Sequence, residues 1–345
     1  MKKVVIVGFG GMGRQHRKLI DVVEGLSVIG MYDISEDAKC CGEEDGLIVY
    51  DSYDEVLCDD IDLVVIATPN HIHKEMAVKA LKANKYVVCE KPVTLNSDEL
   101  DEILEAEKCS NAKFVVHQNR RWDEDFLTVN QVISDKKIGD VFHIESRVHG
   151  SRGIPGDWRK KKAYGGGMML DWGVHLVDRL LMMIDEKVKQ VFCKLSYIRN
   201  SEVDDAFTLH LTFESGKTAL VEVGTNNYIG LPLWYVLGTE GSLRIDDWEL
   251  NGVMSKKVIR ESHDATPIVA GAGLTKTMAP PSEESIELSG VPRYEVDYQA
   301  FYKNIVQVMN EEELPIIKNT QVMRVMKLLE AALTSSKFGQ VIAFE

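Results

Sequence analysis

The hexapeptide Gly8-Phe9-Gly10-Gly11-Met12-Gly13 constrains this chain more than any other feature, because it follows a short apolar run at 4–7 and opens a helical stretch. In that setting G-x-G-x-x-G is the turn between the first strand and first helix of an open parallel sheet. Gly8 permits the tight turn, Gly10 removes the side chain that would block a pyrophosphate, and Gly13 lets the helix approach the sheet. The helix N-terminus offers free N–H groups to the anion. Asp33 stands twenty positions past Gly13, at the end of the second apolar run. A carboxylate there accepts both adenosine ribose hydroxyls and repels a 2′-phosphate, so the pattern predicts NAD rather than NADP. The plainer alternative is a glycine-rich turn with an unrelated surface Asp. The coincidence of strand, helix and correctly spaced acid argues against it.

Further runs at 27–32, 47–50, 63–67, 86–89 and 114–117 are rich in Val, Ile or aromatic residues, as buried strands are. Amphipathic stretches at 73–83 and 97–109 lie between them, the second with Ser97 as its expected cap and acids near its positive end. Six strands with crossover helices predict an α/β fold whose N-terminal part, 1–118, is a doubly wound parallel Rossmann sheet. A length of 345 residues leaves room for a second domain, 119–345. There the texture changes. A helix is expected over 121–136, a strand over 141–149, and an apolar helix over 168–184 after a Gly triplet. Runs at 188–199, 206–213, 217–225, 233–237 and 242–245 alternate in sidedness between turn residues, as in an antiparallel meander. This predicts a C-terminal α+β domain with a large, mostly antiparallel sheet that has one face to cover. Residues 251–292 lack a clear period and read as loop with some strand. Helices at 294–310 and 320–337 are expected to return to the first domain.

The charge balance narrows the partners. Asp plus Glu number 54 against 40 Lys plus Arg, and a net charge of −14 repels nucleic-acid backbones and anionic membrane surfaces. No stretch approaches the roughly 18 apolar residues of a membrane span. Cys40, Cys41, Cys58, Cys89, Cys109 and Cys193 show no paired metal-ligand spacing, so no metal is expected. Met1-Lys2-Lys3 precedes an apolar run too short for a signal peptide, which predicts a cytoplasmic protein with reduced thiols. The expected partner is a small soluble molecule.

Three groups of residues carry candidate chemistry. Thr68-Pro69-Asn70-His71-Ile72-His73 and Glu90-Lys91-Pro92 end the fourth and fifth strands, at the sheet edge where ligands bind. Lys91 draws most interest, although a solvated lysine before a Pro turn is the usual fate of such a residue. His71 and His73 lack a nearby third ligand, so a loop turning into a helix explains them better than a metal. Asp171 and His175 are four apart, which on a helix places both on one face of an apolar, buried segment. An imidazole beside a carboxylate can act as a general base with a raised pKa, and a structural hydrogen bond is the alternative. Lys160 to Lys162 read as a solvated loop, and spacing leaves open whether Tyr164 reaches the site or packs.

The ordered set of Gly8 to Gly13, Thr68-Pro69-Asn70 with His73, Glu90-Lys91-Pro92, Asn119-Arg120-Arg121 and Gly166 to His175 resembles the glucose-fructose oxidoreductase and inositol dehydrogenase family, Gfo/Idh/MocA. The resemblance spans most of the chain. It implies an open-faced C-terminal sheet used for substrate binding and for pairing into homodimers or homotetramers. It also implies that Lys91, Asp171 and His175 converge beside the nicotinamide. His175 would take the hydroxyl proton, Asp171 would orient its ring, and Lys91 would stabilise the developing alkoxide. Phe9, Met12, His73, Glu90, Lys91, Asn119, Trp158 and Arg159 join the glycines, Asp33 and the Thr68-Pro69-Asn70 turn as expected cofactor contacts. Arg120, Trp158 and Tyr164 join the catalytic trio as expected substrate contacts. The activity implied is NAD-dependent oxidation of a secondary hydroxyl of a sugar, cyclitol or glycoside. The alternatives are a non-redox glycoside-cleaving enzyme that cycles tightly bound NAD, and a cofactor-sensing regulator without turnover; the intact trio argues against the last.

Overall fold

The computed structural model describes residues 1–199, 202–258, 267–278 and 285–345. Its first sheet is built from the β-branched runs. β1 (Lys2–Val7), β2 (Leu26–Tyr32), β3 (Ile48–Val49), β4 (Leu63–Ile66), β5 (Tyr86–Cys89) and β6 (Phe114–Val116) pair in parallel in the order β3-β2-β1-β4-β5-β6. Val4 to Val7 and Val64 to Ile66 are fully buried because helices cover both faces, each side chain contributing about 1.5–3 kcal/mol of transfer free energy. The covering helices are α1 (Gly11–Ile20), α2 (Glu36–Glu44), α3 (Tyr53–Cys58), α4 (His73–Lys82) and α5 (Ser97–Lys108). The strand order reverses between β1 and β4, and the crevice at the carboxyl ends of those strands is the place such a sheet offers a ligand. The cap of α5 is Asn96, whose side chain accepts from Glu99 N–H at 2.9 Å. Ser97, expected there, instead gives its N–H and hydroxyl to Glu330 at 2.7 and 2.8 Å.

A helical turn at Asn119–Trp122 and α6 (Glu124–Ser134) follow, separated by extended Asp123, so the helix expected over 121–136 is broken. The second sheet has nine strands. They are β7 (Val141–His149), β8 (Val188–Ser196), β9 (Ala206–Phe213), β10 (Thr218–Gly224), β11 (Trp234–Gly238), β12 (Gly241–Ile245), β13 (Gly252–Lys257), β16 (Ile286–Ser289) and β17 (Ile342–Ala343), while β14 (Ile268–Ala270) and β15 (Gly273–Thr275) form a separate ribbon. The order β16-β13-β12-β11-β7-β10-β9-β8-β17 departs from a simple meander in one respect: β7 lies between β10 and β11 and pairs in parallel with β10. The stretch 251–292 thus supplies two strands to the large sheet, and its residues 259–266 and 279–284 lie outside the described ones. α7 (Val174–Met183) and α9 (Asn319–Phe338) pack on one face; Phe192, between buried Val191 and Cys193, stands exposed on the other.

Two further helices differ from expectation. Met169–Gly173, ahead of α7, is wound as a π-helix, with hydrogen bonds one residue longer than in an α-helix. α8 (Ala300–Met309) starts six residues later than the apolar pattern suggests, because Asp297 turns the chain by accepting from Gln299 N–H and Ala300 N–H. Both C-terminal helices lie against the first sheet's layer: α9 meets α5 and β6, and Tyr302 on α8 bonds His16 on α1 at 2.6 Å.

Candidate active site

The glycine turn sits where the sheet order reverses. Gly8 has φ +90°, and a Cβ there would lie 2.6 Å from the Ala67 carbonyl oxygen. A Cβ on Gly13 would lie 2.0 Å from the Gly8 oxygen, so only glycine lets α1 sit this close to β1. Asp33 is fixed by backbone donors: one carboxylate oxygen accepts from Phe9 N–H at 2.7 Å, the other from Ser35 N–H at 2.9 Å. Above this turn opens a cavity of about 550 Å³. Gly8, Gly10, Gly11, Met12, Asp33, Thr68, Pro69, Asn70, Glu90 and Lys91 line it from the first domain, and Trp158, Arg159 and Asp171 from the second. A Cβ on Gly10 or Gly11 would meet no atom within 4 Å, and both glycines line the cavity, so no side chain stands between the backbone there and a ligand. Bare glycine backbone at a helix start, with the acceptor carboxylate of Asp33 on the same cavity, is a set of groups that fits NAD.

At the opposite end Lys91 Nζ reaches Asp171 Oδ1 and the Asp171 carbonyl, both at 3.2 Å. The pair spans the two domains, and its side chains retain 16% and 17% exposure toward the cavity. Arg159 Nε stands 3.7 Å from the other Asp171 oxygen. His175, one turn along, is 4% exposed and its Nδ1 is buried without a partner. Burial pushes its pKa well below the ordinary value, and the charges of Lys91, Arg120 and Arg179 push it further down. The raised pKa expected from a neighbouring Asp171 is therefore overturned. The π-helical winding takes Asp171 to Lys91, leaving no hydrogen bond between Asp171 and His175.

A second cavity of about 680 Å³ shares Asp171 and Arg159 with the first. Arg120, Arg152, His149, Trp172, Thr225 and Trp248 complete much of its wall. The Arg120 guanidinium lies 4.3 Å from the Trp172 ring centre and is tied to Asp123 at 2.8 Å. The molecule thus offers two adjoining spaces, one suited to a dinucleotide and one with aromatic and cationic walls, joined at Asp171 and Arg159.

The relationships of the whole chain agree with this division. The family model for the Gfo/Idh/MocA oxidoreductases, NAD-binding Rossmann fold, matches residues 2–118, and the model for their C-terminal domain matches 126–244. The chain belongs to the Gfo/Idh/MocA family. An uncharacterised oxidoreductase of Schizosaccharomyces pombe is 32% identical over 309 residues, covering 84% of this chain and 83% of that one. The scyllo-inositol 2-dehydrogenase (NADP(+)) of Bacillus subtilis is 28% identical over 350 residues, covering 99% and 96%. Among solved structures, an NAD-binding protein from Listeria innocua superposes with a TM-score of 0.96 at 49% identity, over 99% of both chains.

Several expected contacts of this Gfo/Idh/MocA chain stand behind the cavity walls. Phe9 and Gly13 shape the turn from within. His73 is fully buried, with its ring nitrogens 2.8 Å from the Thr68 carbonyl and 3.0 Å from that of Pro92; the neutral ring donates to one carbonyl and packs against the other, wedged between the two strand-end loops. Tyr164 stacks on His71 with ring centres 4.3 Å apart, and Asn70 donates to the Gly165 carbonyl at 2.9 Å, tying the second domain over the first. Asn119 and His175 line neither cavity. Glu90 touches the cavity with one edge and is otherwise held by a buried cluster: its Oε1 accepts from His16 Nε2 at 2.9 Å and His117 Nδ1 at 2.8 Å, while Tyr302 donates to His16 Nδ1. Burial alone would raise the Glu90 pKa, but the hydrogen bonds from His117 and His16 hold it well below the carboxyl range. The same three groups are spaced as metal ligands could be, within 4.8 Å of one another. Their mutual hydrogen bonds account for each without an ion.

Sequence reasoning missed Ile34, Ile72 and Met76 on the first cavity and His149, Arg152, Trp172 and Trp248 on the second. Ile72 and Trp172 lie inside motifs already singled out. Trp248 and Arg152 sit in turns whose positions no local pattern fixes.

Proposed function

We propose that this Gfo/Idh/MocA oxidoreductase oxidises a secondary hydroxyl of a sugar, cyclitol or glycoside reversibly to the ketone. One observation carries the reading: Lys91 and Asp171, from different domains, meet at 3.2 Å on the wall of the glycine-lined cavity, and Asp171 lines the aromatic cavity as well. NAD, when bound, supplies the hydride acceptor. His175 is the proton acceptor for the hydroxyl. Its depressed pKa keeps the ring neutral, and Nε2, which unlike the sealed Nδ1 is neither hydrogen-bonded nor cut off from solvent, is the nitrogen that would take the proton. Lys91 places Nζ to stabilise negative charge on the reacting oxygen, and Asp171 orients that ammonium group rather than the imidazole. Asp33, tied to the backbone and able to accept ribose hydroxyls, supports NAD over NADP. The inositol activity in the name of the Bacillus subtilis relative supports the polyol class.

The test is NADH formation across inositols, free hexoses, nucleotide sugars and glycosides. At least one should reduce the cofactor, and Lys91→Ala and His175→Ala should each lower turnover by roughly 10²–10⁴-fold with NAD affinity nearly unchanged. Silence across the panel, or equal loss of NAD binding in both variants, would contradict the reading. The open sheet face bearing Phe192 is assigned by the same reading to a homodimer or homotetramer; a monomeric mass in light scattering would remove that part.

A further inference from the structure

We propose that the substrate carries an anionic substituent, a carboxylate or a phosphate, seated against Arg152 and Arg120 in the second cavity. The proposal rests on the dehydrogenase reading of that cavity and adds the charge class of what enters it. Three arginines, Arg120, Arg152 and Arg159, line this cavity with one acidic residue, Asp171, although the chain as a whole is acidic at −14. Asp171 is already engaged by Lys91. Arg159 is balanced by Asp157 at 2.6 Å and Arg120 by Asp123 at 2.8 Å. Arg152 has no carboxylate partner among the described residues.

An exposed arginine is ordinarily just solvated, but the loop that carries this one is fastened down. Gly150 N–H donates to the Gly224 carbonyl at 2.8 Å, Gly153 N–H to that of Thr225 at 3.0 Å, and Asn227 N–H to that of Gly150 at 2.8 Å. The Arg199 guanidinium adds bonds to the Ser151 and Arg152 carbonyls at 3.3 and 3.4 Å. The backbone at Arg152 is therefore held at the end of β10, on the rim of the cavity. Arg120 is positioned from the other side by the Trp172 and Trp248 rings, 4.3 and 5.6 Å from its guanidinium carbon, and its buried Nε–H has no acceptor.

The hydrogen-bonding chemistry favours an anion. A sugar hydroxyl both donates and accepts, whereas arginine only donates. A wall dominated by arginine donors matches a group that only accepts, and a guanidinium pairs with carboxylate or phosphate through two parallel bonds. The indoles of Trp172 and Trp248 then offer apolar faces to the carbon skeleton.

The experiment is calorimetric titration of the NAD-loaded protein with hexoses and inositols, each matched with its uronate and its phosphate ester, at low and high salt. At least one acid should bind tenfold or more tighter than its neutral partner and weaken with salt. Arg152→Ala should abolish the preference, and Arg152→Lys should restore part of it. The uronate and phosphate arms identify which anion is preferred. Neutral members binding as tightly as their acids, or no acid binding at millimolar concentration, would overturn the proposal. NADH formation in the same samples separates the two ideas. Turnover of neutral polyols alone preserves the dehydrogenase and removes the anion site; tight acid binding without NADH does the reverse.

Discussion

At the scale of single residues, the site depends on which partner each charge takes. Asp171 lies within reach of Lys91 and not of His175, so the imidazole is kept neutral by burial and neighbouring cations. The sign of the pH dependence follows. A base that must be neutral works above its pKa, and this pKa lies well below 6.5. The kcat/KM for polyol oxidation should therefore lose activity through His175 only in acid well below pH 6.5. An acid limb centred above that value, absent in His175→Gln, would contradict the assignment. Asp171→Asn should disturb Lys91 first, raising KM and lowering kcat together while leaving the His175 limb in place. Residue types and their order along the chain were readable from the motifs: Lys91, Asp171 and the glycine turn all border the cavity. The pairing was not readable, because four-residue spacing implies a shared face only in an α-helix, and this segment is π-wound. His73 misled for a related reason: a residue type suited to ligands is wedged between the Thr68 and Pro92 carbonyls.

At the scale of elements, the strands were the most legible, since buried Val and Ile runs declare themselves in a parallel sheet. The helices were less so. α2 and α3 are short and polar, and α8 begins at an Asp297 turn rather than where its apolar pattern begins. The parallel pairing of β7 with β10 depends on a long-range return that no local period reports. The contact of α8 with α1 is another long-range fact with a measurable consequence. Tyr302→Phe removes the donor to His16 Nδ1 and leaves a buried acceptor unpaired, which should destabilise folding by about 1–3 kcal/mol in urea titration. A neutral effect would mean the Tyr302–His16–Glu90 chain is not what holds α8. At the head of the π segment, Asp204 accepts from Met169 N–H at 2.7 Å and burial raises its pKa to about 6.

For the whole molecule, buried titratable groups set the pH range of stability. His16, His73 and His175 all have pKa values lowered first by burial. Unfolded histidine takes up a proton near 6.5 while these three remain neutral in the fold. Their contribution is present above pH 6.5 and is lost as pH falls through that value toward their folded pKa values. Asp204, with its pKa at about 6, and Asp123, also raised by burial, act oppositely and favour the fold as pH falls, while His149, lowered by burial, joins the three imidazoles on the other side. The urea midpoint should therefore drop between pH 7.5 and 5.5, and a rising midpoint would show that these imidazoles are charged in the native state. Deletion of a buried tie within the second domain, Arg121→Ala, would strand Asp178, which its guanidinium grips at 2.6 and 2.7 Å, and should cost about 3–5 kcal/mol.

The proposed function comes down to one event, transfer of hydrogen from a polyol carbon to the cofactor beside Lys91. A single turnover with substrate deuterated at the reacting carbon measures it directly. The account predicts deuterium on the nicotinamide ring in the wild-type protein, and its loss in His175→Ala and Lys91→Ala with NAD still bound. Absence of label on the cofactor at every pH, or label undiminished in both variants, would contradict it.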